Sequence, residues 1–560
     1  MTLPAIKRIF SALFLIVFAG QCLADGPGKA AISSAHELAT EAGFEVLAAG
    51  GNAFDAAVAV SAALAVVEPA SSGLGGGGFW LLRHAATGDA VMIDGREEAP
   101  AAATADMYIG DDGEVDRDLA TNGPLAAGIP GAAAAWVHIS ETYGELPLER
   151  ALAPAIRLAE EGFPVDLKYQ QLLNWRAHVM LRWDYTANIF MPGGEVPDVG
   201  DVIVQKDLAA TLRRLAEHGH DGFYTGETAK LLVEGSRAAG GVWTLEDFAD
   251  YKAVERTPIT IEHGDYTLLT AAPPSSGGIA IAQVLNLIKP FDWREMGRVD
   301  RVHLLAEAMR RAYRDRALYL GDPDMADIPT AMLLSDDYAA GLRTTIRMDR
   351  ALPSEYLAAD PSRLNESNNT THFSLIDAAG NMVSATLTVN LTYGSAFAAP
   401  GTGVLLNNEM DDFSAKPGEP NAFGLIGFEA NAIEPGKRPL SSMSPTIVEG
   451  PDRVAILGTP GGSRIITMVI LGILDFLEGN GPESWVSLPR FHHQYLPDEI
   501  SAETDALTDD EIAALEQRGH TVSVRARPWG NMHAVLWDRK TNELSAADDP
   551  RWEAGKAAVR

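Results

Sequence analysis

Apolar positions change rhythm along the chain. Between residues 33 and 67 an alanine-rich stretch repeats its apolar positions at helical spacing, and Gly50-Gly51-Asn52 interrupts it, which predicts two helices joined at a break. A glycine-rich turn over 71–78 leads into a strand over 79–84. Residues 100–345 read as helices and turns, with Pro273-Pro274-Ser275-Ser276-Gly277-Gly278 opening a helix over 279–288. A polar, turn-rich stretch over 360–369 ends this regime. From Thr371 the period shortens to two: 372–377 alternates, 378–381 is turn-like and 382–390 alternates again, which predicts a hairpin. Further strands are expected at 404–408, 454–458, 521–524 and 533–538. An apolar helix is expected over 464–477, behind Gly461-Gly462-Ser463, and another over 509–519. Strand regions covered by helices imply a layered α/β fold.

Gly73-x-Gly75-x-x-Gly78 has the spacing of a dinucleotide-binding turn, but that turn lies between a strand and a helix. Here the order is helix, glycines, strand, so the glycines read as close backbone packing. Composition narrows the function. Of 560 residues 46% are hydrophobic, as in globular proteins, and 44 Lys and Arg against 76 Asp and Glu leave a net charge of −32. Such a polyanion has no general electrostatic route to nucleic acid or to an anionic membrane. A single cysteine, Cys22, cannot build an internal disulfide or a thiolate metal cluster. Residues 1–24 read as a Sec-type signal peptide: Lys7 and Arg8, an apolar run over 9–20 too short to span a bilayer, then the small-x-small site Cys22-Leu23-Ala24. The mature chain is expected to begin at Asp25, with no cysteine and no membrane anchor, in the periplasm or outside a bacterial cell. An uncleaved anchor and a lipoprotein formed through Cys22 are the weaker readings, the second because Gln21 is a poor neighbour for a lipidated cysteine.

No Gly-x-Ser-x-Gly elbow, His-Glu-x-x-His pair or phosphate loop is present. His492-His493 reads as packing rather than a metal site, because neighbours on a strand face opposite sides. No metal or organic cofactor is implied. The chemistry-bearing residues form polar islands in the last third: Asn369-Thr370-Thr371-His372, Thr388-x-Asn390, Asn407-Asn408-Glu409-Met410-Asp411-Asp412, Ser441-Ser442 and Gly461-Gly462. Each by itself also reads as a strand start, a solvated turn, a cap or a tight turn. Spacing does not show that they converge.

Taken in order, these segments resemble the γ-glutamyltranspeptidase family, also called glutathione hydrolases. The resemblance rests on Thr370-Thr371-His372-Phe373-Ser374, Leu405-Leu406-Asn407-Asn408-Glu409-Met410-Asp411-Asp412-Phe413, Lys437-Arg438-Pro439-Leu440-Ser441-Ser442-Met443-Ser444-Pro445 and Gly461-Gly462-Ser463-Arg464. Earlier in the chain Leu74-Gly75-Gly76-Gly77-Gly78-Phe79 and Asp94-Gly95-Arg96-Glu97-Glu98-Ala99-Pro100 add to it. It implies an N-terminal-nucleophile fold, a four-layer αββα sandwich, in a precursor that cuts itself between Asn369 and Thr370. The products would be a large subunit (25–369) and a small subunit (370–560) that stay together.

Thr370 would then be the nucleophile, with its freed α-amine as base and Thr388 as an orienting hydroxyl. The resemblance gives Arg96, Ser441 and Ser442 to the α-carboxylate of a γ-glutamyl group, and Asn390, Glu409 and Asp412 to its α-ammonium. Gly461 and Gly462 would turn backbone N–H groups toward an oxyanion. Substrates would be glutathione and other γ-glutamyl compounds, with water, amino acids or peptides as acceptors. The bland alternative for Arg96 is a surface salt bridge to Glu97 or Glu98. Two other functions stay open: a related acylase of glutaryl-cephalosporin type, and a non-enzymatic exported binding protein. Two departures stand out. Residues 413–424 match the family's lid loop, but Phe423 stands where tyrosine is common, so closure rests on packing. Phe373 also replaces a common tyrosine, at a position read as core.

Overall fold

The computed structural model describes residues 26–357 and 370–560; the signal peptide and Asn369 lie outside the described residues. Two sheets carry the fold. Their strands, in chain order, are β1 (Ala31–Ser34), β2 (Gly77–Arg83), β3 (Ala90–Gly95), β4 (Val254–Arg256), β5 (Ile259–His263), β6 (Tyr266–Thr270), β7 (Thr371–Ile376), β8 (Met382–Thr388), β9 (Thr446–Glu449), β10 (Arg453–Gly458), β11 (His533–Asp538), β12 (Glu543–Asp548) and β13 (Lys556–Val559). The first sheet runs β13-β1-β7-β8-β2-β3-β4 and the second β12-β11-β10-β9-β6-β5.

Helices α1 (Glu37–Ala48), α2 (Ala53–Val67), α3 (Ala132–Tyr143) and α4 (Leu148–Glu161) share a core with the outer face of the first sheet. Helices α5 (Gly277–Ile288), α6 (Arg298–Tyr319) and α7 (Ile465–Leu477) cover the second. Strand periodicity makes the layers. Phe373, Leu375, Val383 and Ala385 join the helical core, while Ile376 and Met382 meet Ile447, Val454 and Val535 between the sheets. Four layers, αββα, result, and the chain's hydrophobic alternation is their cause.

The space between the sheets is partly polar. His372 is fully buried there, with Nδ1 2.8 Å from Thr386 Oγ1 and Nε2 3.1 Å from Ser374 Oγ, and Ser374 donates to the His533 carbonyl at 3.0 Å. Burial holds this imidazole well below its usual pKa, so it stays neutral. A Cβ on Gly458 would lie 2.2 Å from the His372 ring, so only glycine fits opposite it.

The hairpin expected after Thr371 forms as β7 and β8, and Phe373 is core. The helix break is also present: Asn52 caps α2 through the N–H groups of Phe54 and Asp55, and the Asp55 side chain returns the bond to Asn52 N. Three expectations need correction. Residues 33–34 belong to strand β1, because the alanine-rich helical pattern extends no further back than Glu37. Residues 404–408 make only isolated bridges, since the Asn407 and Asn408 side chains take up neighbouring backbone groups. The stretch read as helices and turns contains β4–β6: β5 and β6 form a local hairpin, while β4 and β6 also pair with β3 and β9, far away in sequence. Among the described residues no helix is long and apolar enough to cross a membrane.

Candidate active site

The β7–β8 register brings the first pair of islands together. Leu387 faces Thr371, so one further step sets Thr388 opposite Thr370. On its other side Thr388 pairs with Gly77 of β2. The glycine turn is what lets the chains approach: a Cβ on Gly76 would lie 2.1 Å from the Thr388 carbonyl oxygen, and one on Gly77 2.3 Å from that of Gly95. Beyond β8 the backbone turns sharply. Asn390 has φ +71, a left-handed conformation that asparagine tolerates better than most residues. Its N–H donates to Thr388 Oγ1 at 2.7 Å and its Nδ2 to the Asn408 carbonyl at 2.8 Å. That second bond ties the end of β8 to the acidic run at 407–412.

Arg96 is fully buried where this run meets the end of β3. Its Nη1 donates to Glu409 at 2.5 Å and to Glu97 at 3.4 Å, its Nη2 to Asp412 at 2.5 Å and its Nε to the Pro439 carbonyl at 3.1 Å. The surface-salt-bridge reading of Arg96 is therefore wrong. Burial would lower the Arg96 pKa, but Glu409, Asp412 and Glu97 outweigh it and hold the guanidinium charged. Burial raises both glutamates, Glu97 to about 7 and Glu409 well above the usual range, with Arg96 opposing. Asn390 Oδ1 and Glu409 Oε1 are buried acceptors with no hydrogen-bond partner among the described residues.

Two supports, one ion-paired and one built of neutral hydrogen bonds, align the remaining loops. Buried Asp94 accepts from Arg96 N and from Arg438, whose guanidinium also reaches Glu98, so the Arg96 loop and the 437–445 loop are tied to each other. The turn at 273–278 holds Ser441 from behind: Ser441 N donates to the Pro274 carbonyl and Ser276 Oγ to the Ser441 carbonyl. Ser441 Oγ accepts from Met443 N, and Ser442 Oγ faces Arg316 Nη2 at 3.4 Å. Gly461 (φ +143) and Gly462 (φ +55) stand ahead of α7 in conformations that favour glycine. The Phe423 ring lies against Gly462, so close that a Cβ there would be 2.5 Å from its Cδ1. The 413–424 loop is pinned by Ala422 N to Asp411, Asn421 to Asp412, and Gln494 to the Gly424 carbonyl.

One small cavity, about 20 Å³, is lined by Thr370, Thr388, Arg96, Asn390, Asp412, Ser441, Ser442 and Gly462, with Phe423 among its walls. Glu409 reaches it through Arg96. A wider cavity of about 390 Å³ also touches Thr370, together with Gly461, Arg464, Trp529 and Trp552. All the expected site residues within the described part of the chain thus converge. A family model for gamma-glutamyltranspeptidase matches residues 39–559. The chain belongs to the gamma-glutamyltranspeptidase family.

It is 42% identical over 525 residues to the glutathione hydrolase proenzyme of Escherichia coli (strain K12), covering 93% of this chain and 90% of that one. A crystal structure of a cephalosporin acylase from Bacillus halodurans superposes with a TM-score of 0.83 at 28% identity, covering 100% and 99% of the two chains. The gamma-glutamyltranspeptidase of Helicobacter pylori gives a TM-score of 0.56 at 39% identity, over 57% of this chain and 92% of that one. The αββα arrangement is accordingly the N-terminal-nucleophile hydrolase fold.

Sequence reasoning missed two charged members of the site. Glu97 was visible beside Arg96, but its burial was not. Arg316 lies on α6 in an unremarkable helical run, and only helix packing brings it to the cavity. His492 and His493 take the packing role: His492 bridges Thr467 and Gln494, and His493 meets Asp498.

Proposed function

We propose that this protein is a self-processing γ-glutamyltransferase and glutathione hydrolase. The observation that carries the reading is one cavity in which a threonine hydroxyl meets both halves of a zwitterion's complement. Cation and hydroxyl donors (Arg96, Ser441, Ser442) suit an α-carboxylate, and acceptors (Asp412, Glu409, Asn390) suit an α-ammonium.

In the precursor, Thr370 Oγ attacks the carbonyl of Asn369, the amide becomes an ester, and water opens it. The freed α-amine, with an ordinary pKa of about 8, then serves as the base that an internal amide nitrogen cannot be. In the mature enzyme the same oxygen attacks the γ-carbonyl of a glutamyl amide. The proton passes to the leaving amine and a γ-glutamyl ester remains on Thr370. Water or the amine of an amino acid or peptide then takes the acyl group. Thr388 orients the nucleophile, and N–H groups at Gly461 and Gly462 receive the oxyanion at a helix start. Phe423 and Leu425 wall the small space beside Thr370. Processing gives subunits 25–369 and 370–560, roughly 37 and 20 kDa at ordinary residue mass, after export on the signal peptide to the periplasm or beyond.

Intact mass and N-terminal sequencing of the purified protein test this. Two chains are expected, one beginning at Thr370 and the other at Asp25; a lasting single band with no Thr370 terminus refutes the reading. The second reading, a glutaryl acylase, is favoured by the likeness to a cephalosporin acylase. A glutaryl group has no α-ammonium and little use for both Glu409 and Asp412, so γ-glutamyl anilide should be turned over faster than glutaryl anilide. Thr370→Ala is expected to remain one chain without activity.

A further inference from the structure

The cavity holds a second guanidinium, and its electrostatic situation is the opposite of the first. Arg96 is already answered by three acidic side chains, and four of its five N–H groups are spent on Pro439, Glu97, Glu409 and Asp412. An arriving carboxylate finds one free N–H on a guanidinium whose other donors are engaged.

Arg316 is 4% exposed and has no carboxylate partner among the described residues. It differs in this from its neighbours on α6: Arg310 and Arg311 share Glu307, and Arg314 pairs with Asp315. Its Nε donates to Ser276 Oγ at 3.0 Å and its Nη2 to Ser442 Oγ at 3.4 Å, while Nη1 makes no hydrogen bond among the described residues. Burial pulls its pKa down to about 10, with Tyr313 and Asp412 opposing. A buried guanidinium answered only by hydroxyls is costly to keep charged, and an anion brought into the same cavity relieves that cost. The hydroxyls relay the charge. Ser442 Oγ accepts from Arg316, which leaves its own O–H to donate into the cavity. Ser276 accepts from Nε and donates to the Ser441 carbonyl, which fixes the neighbouring serine.

We propose that Arg316 is a positioning residue that makes the site select for a carboxylate on the acyl group, by orienting and polarising Ser442 and by adding a second positive charge to that of Arg96. The inference rests on this cavity being the acyl-donor site, and it holds for γ-glutamyl and glutaryl donors alike, since both carry that carboxylate.

The test compares γ-glutamyl anilide with the same anilide whose α-carboxylate is a carboxamide. The ratio of the two kcat/KM values does not depend on how much of a preparation is correctly processed. In Arg316→Gln the preference for the carboxylate is expected to fall at least 10-fold, mainly through KM, and Arg316→Lys should keep a larger share of it. Adding Ser442→Ala to Arg316→Gln should lower the ratio little further. Equal losses on both anilides, or an unchanged ratio in both variants, overturn the proposal. If Arg316→Gln yields no soluble enzyme, the Arg316→Lys ratio decides, with wild-type preference counting against it. A wild-type protein inert toward γ-glutamyl and glutaryl anilides would remove the proposed function itself; an active wild type with ratios insensitive to Arg316 removes only this role.

Discussion

At the scale of single residues, the site depends on where bulk is absent as much as on which groups are present. Gly462 needs a positive φ and has the Phe423 ring where a Cβ would go. Gly462→Ala is therefore expected to lower kcat about 100-fold, the usual size of a lost oxyanion donor, with a smaller effect on KM, as steady-state kinetics would show. Asp412 presents the contrasting case of a charge that serves one substrate and not another. Asp412→Ala should cut kcat/KM for γ-glutamyl anilide about 10-fold or more while changing glutaryl anilide less, because only the first has an ammonium to lose. Equal losses would assign Asp412 to holding Arg96 alone.

At the scale of elements, short-range capping and long-range docking divide the labour. Asn52 makes a reciprocal capping box with Asp55 and also donates to the Tyr143 carbonyl, so it fixes the start of α2 and links it to α3. Asn52→Ala should cost about 1 kcal/mol in urea unfolding at unchanged m-value. The segment that leads toward Thr370 is docked by side chains rather than by a sheet. Ser354 N donates to Asp498 at 2.7 Å, Ser354 Oγ to the Tyr495 carbonyl at 2.7 Å, and Leu352 N to Glu307 at 3.2 Å. Arg310 and His493 hold Asp498 in place and keep its carboxyl below the usual range although burial alone would raise it. In Asp498→Asn the two subunits should appear more slowly on a denaturing gel, with little change in kcat once cleavage is complete.

For the whole molecule, buried ionisable groups set the response to acid. Burial holds His372, His492, His493, His520 and His533 below the ordinary value, His493 at about 4 and His533 at about 3. These rings stay neutral when folded and protonate when unfolded below about pH 6.5, so each loses stability as pH falls, by about 1.4 kcal/mol per unit until its folded pKa is reached. Glu97 and Asp411, raised to about 7, and Glu409, also raised, work the other way: they hold protons when folded and not when unfolded, so they gain stability as pH falls from 7 to about 4.5. His263 and His303 join the lowered histidines and Glu98, Asp322 and Asp548 the raised carboxyls, so seven groups oppose six, and the gain from the acids stops where the histidine loss continues. The urea midpoint should therefore fall between pH 6.5 and 4; a rise would mean that the acids dominate.

The boundary between what sequence determines and what folding decides follows from the range of the interactions. Period-two alternation in 372–390, the Asn52 break and the glycine turn act over a few residues, so the hairpin, the paired helices and the tight approach at Gly76 were legible. The ordered motifs also marked Thr370, Arg96, Asp412 and the serines by resemblance. Convergence was not legible. Strands β4 and β6 pair with β3 and β9, distant in the chain, Asn407 and Asn408 spend their side chains on backbone instead of extending a strand, and Arg96 meets Glu409 across 313 residues. Whether a charge is answered or left over, which separates Arg96 from Arg316, depends on burial and on neighbours that only tertiary packing supplies. Local periodicity determines the layers, and the packing between them decides the electrostatics of the site.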